Sequence, residues 1–205
     1  MSVLNNLVIK RGTYPNARRA CEEWHYSRTL PSGVVAIYDA YEHGRFIGSV
    51  IFGRGVNHRM GIPLGLERRE VLELVRVALA PHAAPVSRIA SKSVKMLKAD
   101  HSEVRALLSY SDPLRGHYGG IYQAMNWIYD GVGSRYYEIL IDGKPVHPRA
   151  ISSRYGTAAI SRLQEMGVNA ERGRIWSKFR YWYPLDRKIR KVILKRAKPY
   201  PQTGR

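Results

Sequence analysis

At 205 residues, 44% of them apolar, the chain is sized for one domain, or one domain with an extension, and can bury a sizeable core. Its 34 Lys and Arg against 16 Asp and Glu leave a net charge of +18. That is far more than dispersal in water requires, and it points to a polyanionic partner, nucleic acid first. A lone cysteine, Cys21, excludes an internal disulfide and a thiolate-rich zinc site. No run approaches the roughly 20 apolar residues of a spanning helix, and MSVLNNLVIKRG lacks a signal-peptide core. A cytoplasmic protein with no membrane partner is therefore expected.

Pro15 to Trp24 is predicted as a helix, with Ala17, Ala20, Cys21 and Trp24 on one face. It runs into His25-Tyr26-Ser27-Arg28 before Pro31-Ser32-Gly33. That cluster either meets a flat or phosphorylated ligand or simply caps the helix. Val34 to Tyr41 and Arg45 to Phe52, joined by Glu42-His43-Gly44, read as a β-hairpin. The glycine-rich stretch Gly53 to Gly65 reads as a mobile loop whose Arg54, His58 and Arg59 lie near an anionic ligand, or as a plain corner.

Arg69 to Ala80 is predicted as a strand with Val71, Glu73, Val75 and Val77 on one side and Leu72, Leu74, Arg76 and Ala78 on the other. Glu73 then sits among apolar neighbours, where a carboxylate either serves as general base or pairs with an arginine. Ser87 is placed as N-cap of a helix running to about Ala99.

Arg105 to Ser111 is predicted as a short buried strand, followed by the polar turn Gly116 to Gly120 and a helix over Ile121 to Ile128. Ligands of α/β proteins bind beyond the carboxyl ends of strands, which would gather Asp112, His117, Tyr118, Tyr122 and Gln123 at one rim. The alternative is that Asp112 caps a turn while Tyr118 and Tyr122 only pack.

Arg135 to Ile141 follows as a strand. From His147 the chain turns basic and aromatic, with a short helix from near Tyr155 to Met166 and a strand over Arg174 to Tyr183. In that strand cations such as Lys178 and Arg180 alternate with rings, a pattern suited to stacking bases and tracking phosphates. Arg187 to Arg196 is a cationic amphipathic helix with Arg187, Lys188, Arg190 and Lys191 outward.

Helix, hairpin, strand, helix, strand, helix, strand is a mixed α/β order with a largely antiparallel sheet flanked by helices. It resembles the acyl-CoA-binding core of GNAT acyltransferases, here with a basic C-terminal extension. The resemblance implies a GNAT-like catalytic core over 1–146, with 147–205 completing the fold and contacting DNA. It would place an anionic cofactor at Val86, Ser87 and Arg88, although the loop His82 to Ser87 has none of the glycines of the GNAT phosphate cradle.

The chain also resembles the Mom family of phage and prophage DNA-modification proteins. The resemblance rests on His25-Tyr26-Ser27 with Leu30-Pro31-x-Gly33, Val50 to Gly55, Glu73-Leu74-x-Arg76, Ser109-Tyr110-x-Asp112, Gly116-His117-x-Gly119, Ile121 to Ala124 and Tyr181 to Pro184. It implies carbamoylmethylation of the exocyclic amine of adenine in double-stranded DNA, protecting phage DNA from restriction.

A base in a duplex must be flipped out and held by stacking, for which Trp24, Tyr26, Tyr118, Tyr122 and Trp127 are candidates. Gln123 or Asn126 can offer it an amide. The amine needs a proton acceptor, with Asp112 first, then His117 or His25, and Glu73 available; Tyr26 and Ser27 complete the catalytic set. Plain transfer from acyl-CoA would join nitrogen to a carbonyl carbon and not to a methylene. A glycine-derived small-molecule donor, or iron held by His25, Asp112 and His117, therefore stays open beside acyl-CoA. A GNAT acyltransferase acting on RNA or protein, and a non-catalytic DNA-binding protein, are the rival readings.

Overall fold

The computed structural model describes residues 6–55 and 57–202. In chain order the elements are β1 (Leu7–Arg11), α1 (Tyr14–Trp24), β2 (Val34–Glu42), β3 (Arg45–Gly53), β4 (Val71–Leu79), α2 (Val86–Asp100), β5 (Ala106–Ser111) and α3 (Gly120–Ala124). They continue with β6 (Ile128–Ile141), β7 (Lys144–Val146), α4 (Pro148–Tyr155), α5 (Ile160–Glu165), β8 (Ala170–Pro184) and α6 (Arg187–Leu194). The strands form a mixed, mostly antiparallel sheet in which β4 and β5 are the parallel pair, as a β4–α2–β5 crossover requires. No helix of the described residues is long and apolar enough to cross a membrane.

The chain divides into two compact units. One runs through to Ser111, resumes over Tyr118–Gly131 and returns from Phe179; the other comprises Asp112–His117 and Val132–Lys178. Strands β6 and β8 run through both. In the first unit the strand order is β1-β2-β3-β4-β5-β8-β6. One face of that sheet buries Tyr38, Phe52, Leu72, Leu74, Leu107 and Tyr181 against Ile89 and Leu97 of α2 and Tyr122 of α3. The other face packs Ile37, Ile51 and Ala78 on Ala17, Ala20 and Cys21 of α1. Elsewhere in that unit Val71, Leu108 and Trp182 pack with Ile189 and Ile193 of α6. The second unit has its own core of Ile139, Ile151, Leu163 and Ala170.

Several local outcomes differ from the sequence reading. Strand β1 escapes it, because five residues with two cations carry too little pattern. The hairpin turn is His43-Gly44, both at positive φ (51 and 77), the geometry that matches strand twist. The loop after β3 is anchored, since Met60, Leu64 and Leu66 are buried. In β4 a bulge opposite Ile51/Phe52 reverses the alternation: Val75 and Ala78 face α1 while Leu74 and Val77 face the α2 side. Arg76 therefore joins Glu73 and Val75, and does not sit opposite them.

Helix α2 begins two residues earlier than read, with Pro85 and not Ser87 in the N-cap position. Helix α3 ends at Ala124, not Ile128, because Asn126 takes a left-handed conformation (φ 57) and the Trp127 N–H closes on the Tyr122 carbonyl at 2.9 Å. Ile128 is thereby released to begin β6. The single helix expected from Tyr155 to Met166 is two helices, α4 and α5, parted at Gly156 (φ 72).

Candidate active site

The site is built where β4 and β5 part. They are in register only over Val71–Glu73 and Ala106–Leu108, though β4 continues to Leu79 and β5 to Ser111. Backbone groups beyond that point need other partners. Ser109, one residue past the last pair, supplies one by donating its hydroxyl to the Leu74 carbonyl at 2.8 Å. The same oxygen forms a 2.8 Å hydrogen bond with the Tyr122 hydroxyl, brought down from α3. Burial pushes the Tyr122 pKa up to about 12, and the nearby charge of Glu73 adds to the rise. At neutral pH Tyr122 is a fixed O–H.

Glu73 pairs with Gly53 across β3/β4 and with Leu108 across β4/β5. Its carboxylate occupies the space beside Gly55 (φ 61), where a Cβ would collide with Oε2. Tyr26 contributes to the electrostatics of Tyr122 as well. Glu73, on the α1 face of β4, and Tyr26, at the α1 exit, thus act electrostatically on the Ser109–Tyr122 pair across the split between β4 and β5.

The α1 exit is locally determined. His25 closes the helix with its N–H on the Cys21 carbonyl. Its Nδ1 accepts the Ser27 N–H at 3.1 Å and lies 2.8 Å from Ser27 Oγ. Because an amide N–H only donates, neutral His25 carries its proton on Nε2. Tyr26 leans on the imidazole, ring centroids 4.3 Å apart, and is 56% exposed. Arg28 (φ 51) turns back to donate to the carbonyls of Glu22 and Glu23 at 2.6 and 2.8 Å, so of this cluster it is the helix cap.

A ring belt supports Tyr122: its centroid lies 5.0 Å from Tyr181 and 5.2 Å from Trp127. Tyr181 donates its hydroxyl to the Tyr118 carbonyl at 2.7 Å, and Gln123 Nε2 donates to the same carbonyl at 3.2 Å. A Cβ at Gly119 (φ 85) would collide with the Tyr181 ring. Tyr200 donates to the Trp127 carbonyl at 2.7 Å and faces Tyr181. Trp127 is fully buried, so it supports the belt and is not a platform for a base. Trp24 packs on Phe46 with the Arg19 guanidinium 5.8 Å from its ring. Asn126 is exposed and serves as the helix terminator.

Asp112 and His117 belong to the second unit. Asp112 caps the turn after β5, accepting the Leu114 N–H on its carboxylate at 3.1 Å, while its carbonyl takes the His117 N–H at 3.1 Å. His117 is exposed. Among the described residues no group of three or more His, Cys, Asp or Glu side chains is placed to hold a metal ion.

Val86, Ser87 and Arg88 form the first turn of α2, which no side chain caps. In the loop before it, the N–H groups of Ala83 and Ala84 donate to the Glu42 carboxylate at 2.9 and 2.8 Å. Those N–H groups hold the Glu42 pKa down. Glu42 thus occupies two donors of the loop before α2 and none of the N–H groups of its first turn.

Of the cations read as DNA contacts, Arg187, Lys188, Arg190 and Lys191 form the exposed face of α6, and Arg59 is exposed. Arg54 donates to the Arg68 carbonyl at 3.0 Å. Arg180 is engaged with the buried Asp130 at 3.0 Å, beside Arg196 and Trp182 Nε1, both at 3.1 Å. Lys178 lies in the second unit. The sequence reading quoted Ser109 only within a family motif and missed its bridging role, although a hydroxyl ends the otherwise apolar run Ala106-Leu107-Leu108. It also missed the clamp of Gly119 on Tyr181.

The chain belongs to the Mom protein family, whose model matches residues 6–202. It is similar to the methylcarbamoylase Mom of Escherichia phage Mu, 27% identical over 203 residues that cover 91% of this chain and 80% of that protein. Among solved structures it is similar to a protein assigned to the GNAT acetyltransferases from Desulfovibrio desulfuricans, at 13% identity and a TM-score of 0.47, covering 88% of this chain and 99% of that one. A second, assigned likewise, from Chromobacterium violaceum, has 9% identity and a TM-score of 0.46, with 87% and 83% covered.

Proposed function

We propose that this protein is an enzyme that modifies DNA, joining a carbamoylmethyl group to the exocyclic amine of adenine in a duplex and so shielding phage DNA from restriction. The observation that carries the reading is the buried Ser109–Tyr122 hydroxyl pair, on which Glu73 and Tyr26 act electrostatically, in a chain similar to a methylcarbamoylase. The exposed cationic face of α6 supports a DNA partner.

The amine lone pair of adenine is delocalised, so attack requires a proton to leave as the bond forms. In this reading adenine nitrogen attacks the methylene carbon of a small-molecule donor, the donor's leaving group departs with the bonding pair, and the amine proton passes to Glu73. Ser109, its own proton on the Leu74 carbonyl, accepts the Tyr122 O–H, so the phenol is fixed in place as a neutral wall of the site. Tyr26, exposed at the α1 exit and leaning on His25, offers its face to the flipped base. A donor other than a plain acyl-CoA fits this reading, because a methylene and not a carbonyl becomes bonded to nitrogen.

The test is mass spectrometry of nucleosides from DNA of cells expressing the protein, beside Glu73→Gln, Tyr122→Phe and Asp112→Ala. Adenine heavier by one carbamoylmethyl group, lost in the first two variants, is expected. Unmodified DNA with the folded wild-type protein overturns the reading. Loss with Asp112→Ala alone would move the proton acceptor to Asp112.

A further inference from the structure

The second unit holds a feature that the reaction does not use. Its core is made by Ile139, Ile151, Leu163 and Ala170, yet the β6 and β8 segments within it carry large side chains outside that core. Tyr136 is 42% exposed, Tyr137 39% and Ile175 56%. The Tyr136 ring stands 5.9 Å from Trp176. Lys178 Nζ lies 5.3 Å from the Tyr136 centroid, and the Arg172 guanidinium 4.6 Å from that of Tyr137. Arg135 and Arg174 add positive charge on the same two strands.

Exposed rings of this size call for a partner. Pairing each tyrosine with a cation restricts the choice. A purely apolar partner would have to strip water from Arg172 and Lys178. A strand of nucleic acid satisfies both groups at once, a base on the ring and its phosphate on the cation. Bases inside a duplex hide their faces, whereas an opened duplex exposes them.

We propose that the β6/β8 segment of the second unit is a binding surface for unpaired bases of DNA, with Tyr136, Trp176 and Tyr137 as stacking platforms and Lys178 and Arg172 as phosphate contacts. This rests on the reading of the protein as a DNA-modifying enzyme, since extruding a base leaves its partner unpaired.

The experiment measures binding of the full chain to a fluorescent oligothymidine, to a duplex of equal length and to that duplex with an internal mismatched stretch. Wild type is compared with Tyr136→Leu, Tyr137→Leu and Lys178→Gln, with circular dichroism and sedimentation of each. Leucine keeps a strand-compatible apolar side chain and removes the ring. We expect tighter binding to the unpaired targets than to the plain duplex, and about tenfold weaker unpaired binding in each tyrosine variant. Plain-duplex affinity should stay within about twofold, and Lys178→Gln should reduce the salt slope on oligothymidine by about 0.7.

Folded tyrosine variants that bind unpaired DNA like wild type overturn this proposal and leave the modification reading standing. So does a wild-type dimer that these substitutions dissociate, which would make the face a contact between copies. Absence of any DNA binding by wild type overturns both readings.

Discussion

Ser109 Oγ lies 2.8 Å from both the Leu74 carbonyl and the Tyr122 hydroxyl, so one side chain bridges the parting strands and holds the phenol in the field of Glu73. Replacing Tyr122 by Phe keeps the ring in its belt and removes only the hydroxyl. Modification should fall about 100-fold as the fixed geometry of the site is lost, with stability changed by about 1 kcal/mol. The raised Tyr122 pKa gives a second readout. The buried neutral phenol contributes stability that is fully present below pH ~10, the ordinary tyrosine value, and is lost as pH rises through about 12. Thermal melts between those limits should fall less steeply in Tyr122→Phe than in wild type.

Gly55→Ala tests the position of the Glu73 carboxylate without touching Glu73. The new Cβ displaces Oε2, the far end of a flexible side chain, at a positive φ that alanine tolerates poorly. A loss of about 1–2 kcal/mol in denaturant titration is expected. Modification should fall by far more than that loss of folded protein explains. Full activity in Gly55→Ala would show that the carboxylate need not stand there.

Asp130 serves Arg180, Arg196 and Trp182 at once and is 5% exposed. Asp130→Asn leaves two guanidinium groups without their counter-charge. The cost should be about 2–3 kcal/mol by chemical denaturation, below that of a fully buried pair because the arginine side chains are 25% and 34% exposed.

Acid should unfold the protein through identifiable carboxylates. Arg11, first by hydrogen bond and then by charge, lowers the Asp100 pKa to about 2, helped by Tyr38. The Ala83 and Ala84 N–H groups lower that of Glu42. Both contribute stability that is present above their ordinary values and lost as pH falls through the folded ones, from about pH 4.5 down to about 2. Glu42→Gln should therefore weaken the fold at pH 7 and flatten its melting temperature over the upper part of that window.

Charge on α6 should appear in salt dependence. Changing Arg187, Lys188, Arg190 and Lys191 to Gln leaves Ile189 and Ile193 in the core. Duplex binding should weaken for every DNA sequence alike, and the slope of log affinity against log salt should drop by about 0.9 for each phosphate that the helix no longer neutralises. An unchanged slope would remove this helix from the DNA surface.

The α1 helix, the hairpin, β4, α2 and β5 are legible because each carries its own periodicity and its own stops. What is not legible depends on partners distant in sequence. The β4 bulge follows from pairing with Ile51 and Phe52, so alternation alone puts Arg76 on the wrong face. Asn126 looks like a helical amide until its left-handed backbone ends α3. Glu73 stands out as a carboxylate in an apolar strand. Ser109 and Tyr122, each ordinary alone, become a pair only once β4 and β5 separate above them. Asp112 is legible both as a site residue and as a turn cap, and the cap is what the geometry shows.

Strand β8 sits between β5 and β6 in the first unit, pairing Ser109 with Tyr181 and Leu108 with Trp182. On the ribosome β5 must wait, unpaired on that edge, until β8 has emerged. Only then can Tyr181 close on Gly119 and brace Tyr122. Nascent chains stopped before β8 would expose the Leu107–Ser109 edge to other strands. Activity should therefore arise in one late step of synthesis, and chaperone dependence should be concentrated just before it.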